Sequence, residues 1–427
     1  MGSMDSMDRE QKKRQLKRRI IESDARPYGQ SRGMDYEEDE EEIVRKAERT
    51  VRQKRRRIII IAFAVLALAV LSSYLYVTGH QYSSYTVAWE KQIPASEGGF
   101  TEYERFGENV LKYSKDGASY IDKSGNVVWS LSYELKSPIC DINGGYAVIG
   151  DQQGNSIYIC DATGNKGQAT TLLPILRLSV SAHGVVSALV EDSNASYVTF
   201  FKNDGSTLDW GIKTVMSKNG YLMDVSLSPD GTQVMLSDIY LQDGSLKNRI
   251  VFYNFSEFGK SYPDRLVGGF DELSDGLCPR VRFLDEGHAC AFADNQLMFF
   301  SLENVTSPEL TKQIPVETEI RSIAYSNQHV GIVVNMLTGE NPYRLDVYKV
   351  NGDLAFSREF DYQYQMFDID GDFVILYNED SCRVYSMSGK ERFAGQFDFS
   401  VSKITRGYQF NSFIVTGGDT MRELRLK

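Results

Sequence analysis

An all-β fold behind one long helix is what this sequence predicts, and three observations carry the prediction. After residue 84 the chain breaks into short runs rich in Val, Ile, Tyr and Phe, bounded by Gly, Asp, Asn and Ser. Such runs read as strands joined by turns. A polar hairpin turn recurs at Gly125, Gly164, Gly205, Gly259, Asn304, Gly352 and Gly389, with a mean period of 44 residues. Ahead of all these, Ile58 to Val77 is an apolar run of 20 residues without a charge.

Taken in order, the first element is a charged tail, residues 1–57, with 17 Lys/Arg and 13 Asp/Glu. Residues 1–34 read as disordered on composition. From Asp35 the acids precede the bases at i,i+4 spacing (Glu41 and Arg45, Glu42 and Lys46, Glu48 and Arg52), the favourable order on a solvated helix. Residues 58–77 are then long enough to cross a bilayer, which takes about 20 apolar residues. Lys54 to Arg57 abut this run and His80 is the only other candidate cation near its far end. The positive-inside rule therefore places the tail in the cytoplasm, and the linker 78–84 and everything after it outside. The expected localisation is the cell membrane, single-pass.

The remainder of the chain carries 30 basic and 45 acidic residues. That excess of acid argues against nucleic acid, which needs clustered cations to displace counterions. Five cysteines, widely spaced and without a CxxC, suit small buried strand residues better than a zinc site or a disulfide framework.

The repeat sets the architecture. "VSLSPDGTQVMLS" from Val225 is an inner hairpin, and "YIDKSGNVVW" from Tyr120 an outer one. Four strands and their turns per 44 residues is the size of a propeller blade. "TVAWEKQI" from Thr86 resembles "NVVWSLSY" from Asn126, so residues 85–93 read as an outermost strand D with no partners before it. Val401 to Lys427 supplies strands A, B and C and stops. Sharing one blade between the termini closes the ring and removes exposed sheet edges. The expectation is an eight-bladed β-propeller over 85–427, with seven blades as the alternative.

"DKSGNVVW" and "DATGNKG" resemble the outer hairpins of quinoprotein-like propellers, and "SPDGTQVML" the turn of TolB-like and WD-repeat propellers. The whole plan resembles membrane-anchored propeller proteins of Gram-positive bacteria. A quinone site in the first family implies an adjacent Cys-Cys pair, which this chain lacks. A sialidase-like aspartate box resembles "DKSGNVVW" but is one residue too short to match it. No GxSxG or HExxH occurs, and in "FDIDGDF" Gly371 falls where an EF-hand loop cannot use it. No cofactor is expected, and an enzyme is the less favoured reading.

Two sets of residues stand out. His183, His288 and His329 occupy the same place in the repeat, at an A–B turn or the start of strand B, with Asp230 and Asp370 in equivalent positions. They are weak metal candidates. Three elaborations interrupt the repeat: Ser237 to Arg249 and Asn335 to Arg344, read as B–C loops, and Ser261 to Pro279, read as a D–A link. B–C and D–A connections share one face of a propeller, so the three predict one working face, turned away from the tether. Tyr240, Arg249, Tyr262, Arg265, Tyr343 and Arg344 offer the side chains enriched at interface hot spots. Asp243, Asp271, Glu272, Asp275 and Glu340 favour a basic partner. The expected function is binding or scaffolding for a protein or cell-wall polymer. A ligand sensor signalling to the tail and a propeller-fold enzyme are the alternatives.

Overall fold

A computed structural model describes residues 36–95, 99–217, 220–271 and 276–427, with side chains for these except 36–50 and 73–78. The charged segment 1–34 lies outside the described residues. Two compact units divide at Val77/Thr78.

The first unit contributes helix α1, Tyr36–Gly79. From Val51 to Ser72 its described side chains are all exposed, the apolar Ile58, Phe63 and Leu68 among them. Among the described residues no helix is long and apolar enough to cross a membrane. The end of the apolar run, Ser73 to Val77, has side chains outside them.

The second unit is an eight-bladed propeller of four-stranded antiparallel sheets. Blades 1 to 7 span residues 101–132, 138–170, 175–215, 221–270, 280–315, 320–360 and 366–396. Blade 8 joins Lys403–Arg406, Ser412–Gly417 and Thr420–Leu426 to the N-terminal strand Tyr85–Gln92, which pairs with the last of them from Tyr85↔Leu426 to Gln92↔Thr420. The chain thus closes the ring as its two ends predict, and eight is the number of blades. It enters on the A–B/C–D face, where the Tyr82 amide donates to the Arg392 carbonyl at 2.7 Å.

Burial explains the strand pattern. Strand B of blade 3 (Val186–Glu191) and of blade 8 are buried at nearly every position, because neighbouring blades cover both sheet faces. Strand D, the outer edge, alternates instead, as in blade 5 (Glu309–Pro315). All eight C–D pairs carry a register shift. A bulge adds local twist, and its repetition at one place gives each blade its splayed outer strand. Gly205, in the C–D turn of blade 3, shows why glycine recurs there. Its φ is +85°, and a Cβ would sit 2.2 Å from the carbonyl oxygen of Gln168 on blade 2.

Candidate functional site

Two of the three elaborations differ from expectation. Residues 237–249 form no loop. Strands Gln233–Gln242 and Ser245–Asn254 run ten residues each, paired to Gln242↔Ser245, as a projecting β-ribbon. Asp243 and Gly244, both at positive φ, make its two-residue turn. Residues 261–265 lie in the C–D connection of blade 4, not in a D–A link, because Leu266–Phe270 is that blade's strand D. Tyr262 and Arg265 therefore sit on the opposite face. Arg265 is a local tie there, donating from Nη1 to the carbonyls of Phe255 (3.1 Å) and Ser256 (3.0 Å). The third elaboration, 336–342, is a B–C loop as expected.

The B–C/D–A face retains Tyr240, Asp243, Arg249, Asp271, Glu340 and Arg344. Tyr240 donates to Asp271 at 3.4 Å and lies under the Arg249 guanidinium at 4.9 Å. Arg249 pairs with Asp238 at 2.8 Å. Burial pushes the Asp238 carboxyl up to about 6 despite that pair. Tyr343 is buried in strand C of blade 6, its hydroxyl donating to Gln363 at 2.9 Å, so it is no surface anchor. Arg344 pairs with Asp346 and edges a hollow of 470 Å³ shared with Glu317, Met336 and Leu337. Glu272 and Asp275 lie outside the described residues.

Two features of this face were not read from the sequence. The first is charge. Its described connections hold 14 acidic residues, eight in B–C and six in D–A segments, all exposed, against two lysines and no arginine. The opposite face holds 11 against five. The second is apolar tips: Leu172, Met216, Leu241, Leu246 and Leu337 are exposed there, spread over blades 2 to 6. Single exposed apolar residues are ordinary, and the opposite face exposes Phe258, Tyr408 and Phe410.

The histidines do not share a site. His183 lies in the A–B turn of blade 3. His288 opens strand B of blade 5 and meets Asp285 of its own turn at 2.9 Å. His329 opens strand B of blade 6, its Nδ1 buried without a hydrogen bond among the described residues. Burial pulls its pKa below the usual histidine value. Asp230 caps its own turn, accepting from the Thr232 amide at 2.9 Å, while Asp370 pairs with Arg105 and accepts from the Arg406 amide. Among the described residues no three of His, Cys, Asp and Glu come together as a metal site.

The channel is built from strands A, and its polar residues staple adjacent blades. Asp141 of blade 2 accepts from the Val180 amide of blade 3, Asp224 of blade 4 from Val281 of blade 5, and Asp370 of blade 7 from Arg406 of blade 8. Ser179 and Ser226 do the same for Leu227 and Phe283. Lys403 joins three blades, with Nζ 3.0 Å from Glu104 and 3.1 Å from Asp368. Arg282 reaches across from blade 5 to Asp141 of blade 2 at 2.6 Å. The recurring acid in strand A ("ICDIN", "LMDVSL", "FDIDG") was the signal available in the sequence.

Comparison with known proteins bears on fold and family. A computationally designed protein, Ika8, matches with a TM-score of 0.52 at 12% identity, over 79% of this chain and 98% of its own. Chaetomium thermophilum Sqt1, solved bound to the N-terminus of the ribosomal protein L10, gives 0.49 at 10%, over 75% and 94%. The Neurospora crassa Pan2 WD40 domain gives 0.41 at 10%, over 68% and 88%. At such identities the likeness concerns fold alone. No curated protein matches the sequence. A family profile does, over residues 78–426. By that match the chain belongs to the family of unknown function DUF5711.

Proposed function

We propose that the protein is a membrane-tethered, non-enzymatic scaffold whose propeller binds a basic, amphipathic protein surface through its B–C/D–A face. One observation carries this reading: that face combines 14 exposed acidic residues against two lysines with several exposed leucine and methionine tips. Apolar tips supply contact area, and the acid excess selects a cationic partner and repels polyanions, nucleic acid and anionic wall polymers included. The tether rests on the 20-residue uncharged run 58–77, its basic flank Lys54 to Arg57, and the all-round exposure of its described part. A helix apolar on every side has to be covered by something apolar. On this reading lipid covers it, the tail is cytoplasmic and the propeller extracytoplasmic.

The test is crosslinking and affinity capture of the full-length protein from its native membrane. Beside it runs a variant with Leu172, Leu241 and Leu337 changed to Ser, and a second with Glu317, Glu319 and Glu340 changed to Lys. The expected outcome is a basic protein held by the wild type, lost with either variant and released by salt. A partner retained by both variants moves the interaction to another face. Protease digestion of intact cells tests the topology: the propeller should be cut back and the tail protected.

A further inference from the structure

Apart from the face, the channel encloses a cavity of 640 Å³, within the roughly 300–1,000 Å³ of small-molecule pockets. Its walls come from strands A of blades 1, 2, 5, 6, 7 and 8. Blades 3 and 4 do not line it, and the Arg282–Asp141 ion pair joins the blades on either side of them.

The two sides of this cavity carry opposite charge. On blades 7, 8 and 1, Glu104 and Asp368 share the single ammonium of Lys403. Glu102 lies in the same strand as Glu104. Burial, and then repulsion by Glu104, raises its carboxyl pKa. Arg105 and Asp370 cancel one another. The carboxylates there outnumber the cations. On blade 5, Arg282 is balanced by Asp141, whereas Arg280 shares the single carboxylate of Asp224 with Arg177. Arg177 and Arg280 stand 3.7 and 3.6 Å from the same carboxylate, Asp224, distances too long for hydrogen bonds. A guanidinium has five N–H donors. Among the described residues Arg280 places none of them in a hydrogen bond, although its side chain is 46% exposed and lines the cavity.

We infer that the channel cavity binds a small zwitterion of the free amino-acid or short-peptide class, its ammonium against Glu104 and Asp368 and its carboxylate on Arg280. An anion alone meets the surplus of carboxylates, and a cation alone meets the arginines; a molecule with both charges satisfies the two walls together. Charge-assisted bonds at both ends are the strong kind. Asn327 and Gln328, in the A–B turn of blade 6, add amide groups to the cavity lining.

Calorimetric titration of the full-length protein with tri-alanine, against its N-acetylated and C-amidated forms, tests the proposal. Free tri-alanine should bind, and blocking either end should weaken binding by at least about tenfold. Arg280→Gln should abolish discrimination against the amidated form, and Glu104→Gln discrimination against the acetylated form. Melting curves of each variant separate lost binding from lost folding, and Arg280→Lys should keep part of the affinity. No heat with any form up to about 10 mM overturns the proposal. So does equal binding of the acetylated form, which would make the site a simple anion seat. Neither outcome touches the protein-binding face, whose variants lie elsewhere.

Discussion

Lys403 is the residue whose loss should cost the ring most per atom removed. Its ammonium is nearly buried and holds Glu104 and Asp368 together, and those carboxylates raise its pKa well above the ordinary lysine value, against the opposing effect of burial. Its contribution is fully present below the unfolded lysine pKa and lost only as pH rises through the higher folded value. Lys403→Met should destabilise by about 3 kcal/mol in urea, the lower end of the range for broken buried pairs because Glu104 stays half in water. The deficit should shrink toward pH 4, where the stranded carboxylates take up protons. His329 works with the opposite sign. Its depressed pKa means the unfolded chain binds more protons, so its contribution is lost as pH falls from the unfolded value through the folded one. His329→Gln should flatten the decline in stability between pH 7 and 5, read from denaturation midpoints. The five cysteines are free, four of them buried, and burial pushes Cys160, Cys278 and Cys382 up to about 12. Native protein should resist iodoacetamide at pH 8, and unfolded protein should take up five equivalents.

The outer hairpin was the element most legible in the sequence, because its turn needs residues that tolerate positive φ and close approach. Gly205→Ala should cost about 3 kcal/mol in denaturant stability, since both the φ and the contact with Gln168 forbid a Cβ. The ribbon of blade 4 reads as a loop in the sequence for a related reason. "SDIYLQDGSLKNR" has a polar centre, yet Asp243-Gly244 is a type I′ hairpin signal, and it extends two strands instead of ending them. The C–D connection of blade 4 misled in the other direction. Its two 3-10 turns, Glu257–Ser261 and Pro263–Arg265, lengthen a normally tight turn, so Tyr262 and Arg265 took the place that a D–A link was expected to fill.

At the scale of the molecule, closure by the N-terminal strand makes the ring depend on both termini. Deleting residues 85–92 should leave Thr420–Leu426 as an open edge. The variant should melt earlier than the wild type and run as aggregate on size exclusion. Ring formation also decides which loops become neighbours, and so the surface charge. Acids scattered from Asp116 to Asp419 are unremarkable along the chain, but they collect on one face once alternate connections are sorted to opposite sides.

By itself the sequence determined the strand count per repeat and the closure, because hairpin turns and alternation are local and their chemistry is written in neighbouring residues; it favoured eight blades over seven, and the eight four-stranded sheets of the structure settle the number. It also marked the B–C/D–A face as the one to examine. Only the tertiary structure decided which residues occupy that face, moving Tyr262 and Arg265 off it and burying Tyr343. It separated the three histidines, which equal positions in the repeat had grouped, because equivalent places on a ring are spread around its circumference. The charged cavity, with Arg280 of blade 5 in one wall and Glu104 of blade 1 in another, is 176 residues apart along the chain. No local pattern encodes that meeting; the radius of the ring and the crossing of Arg282 to Asp141 do.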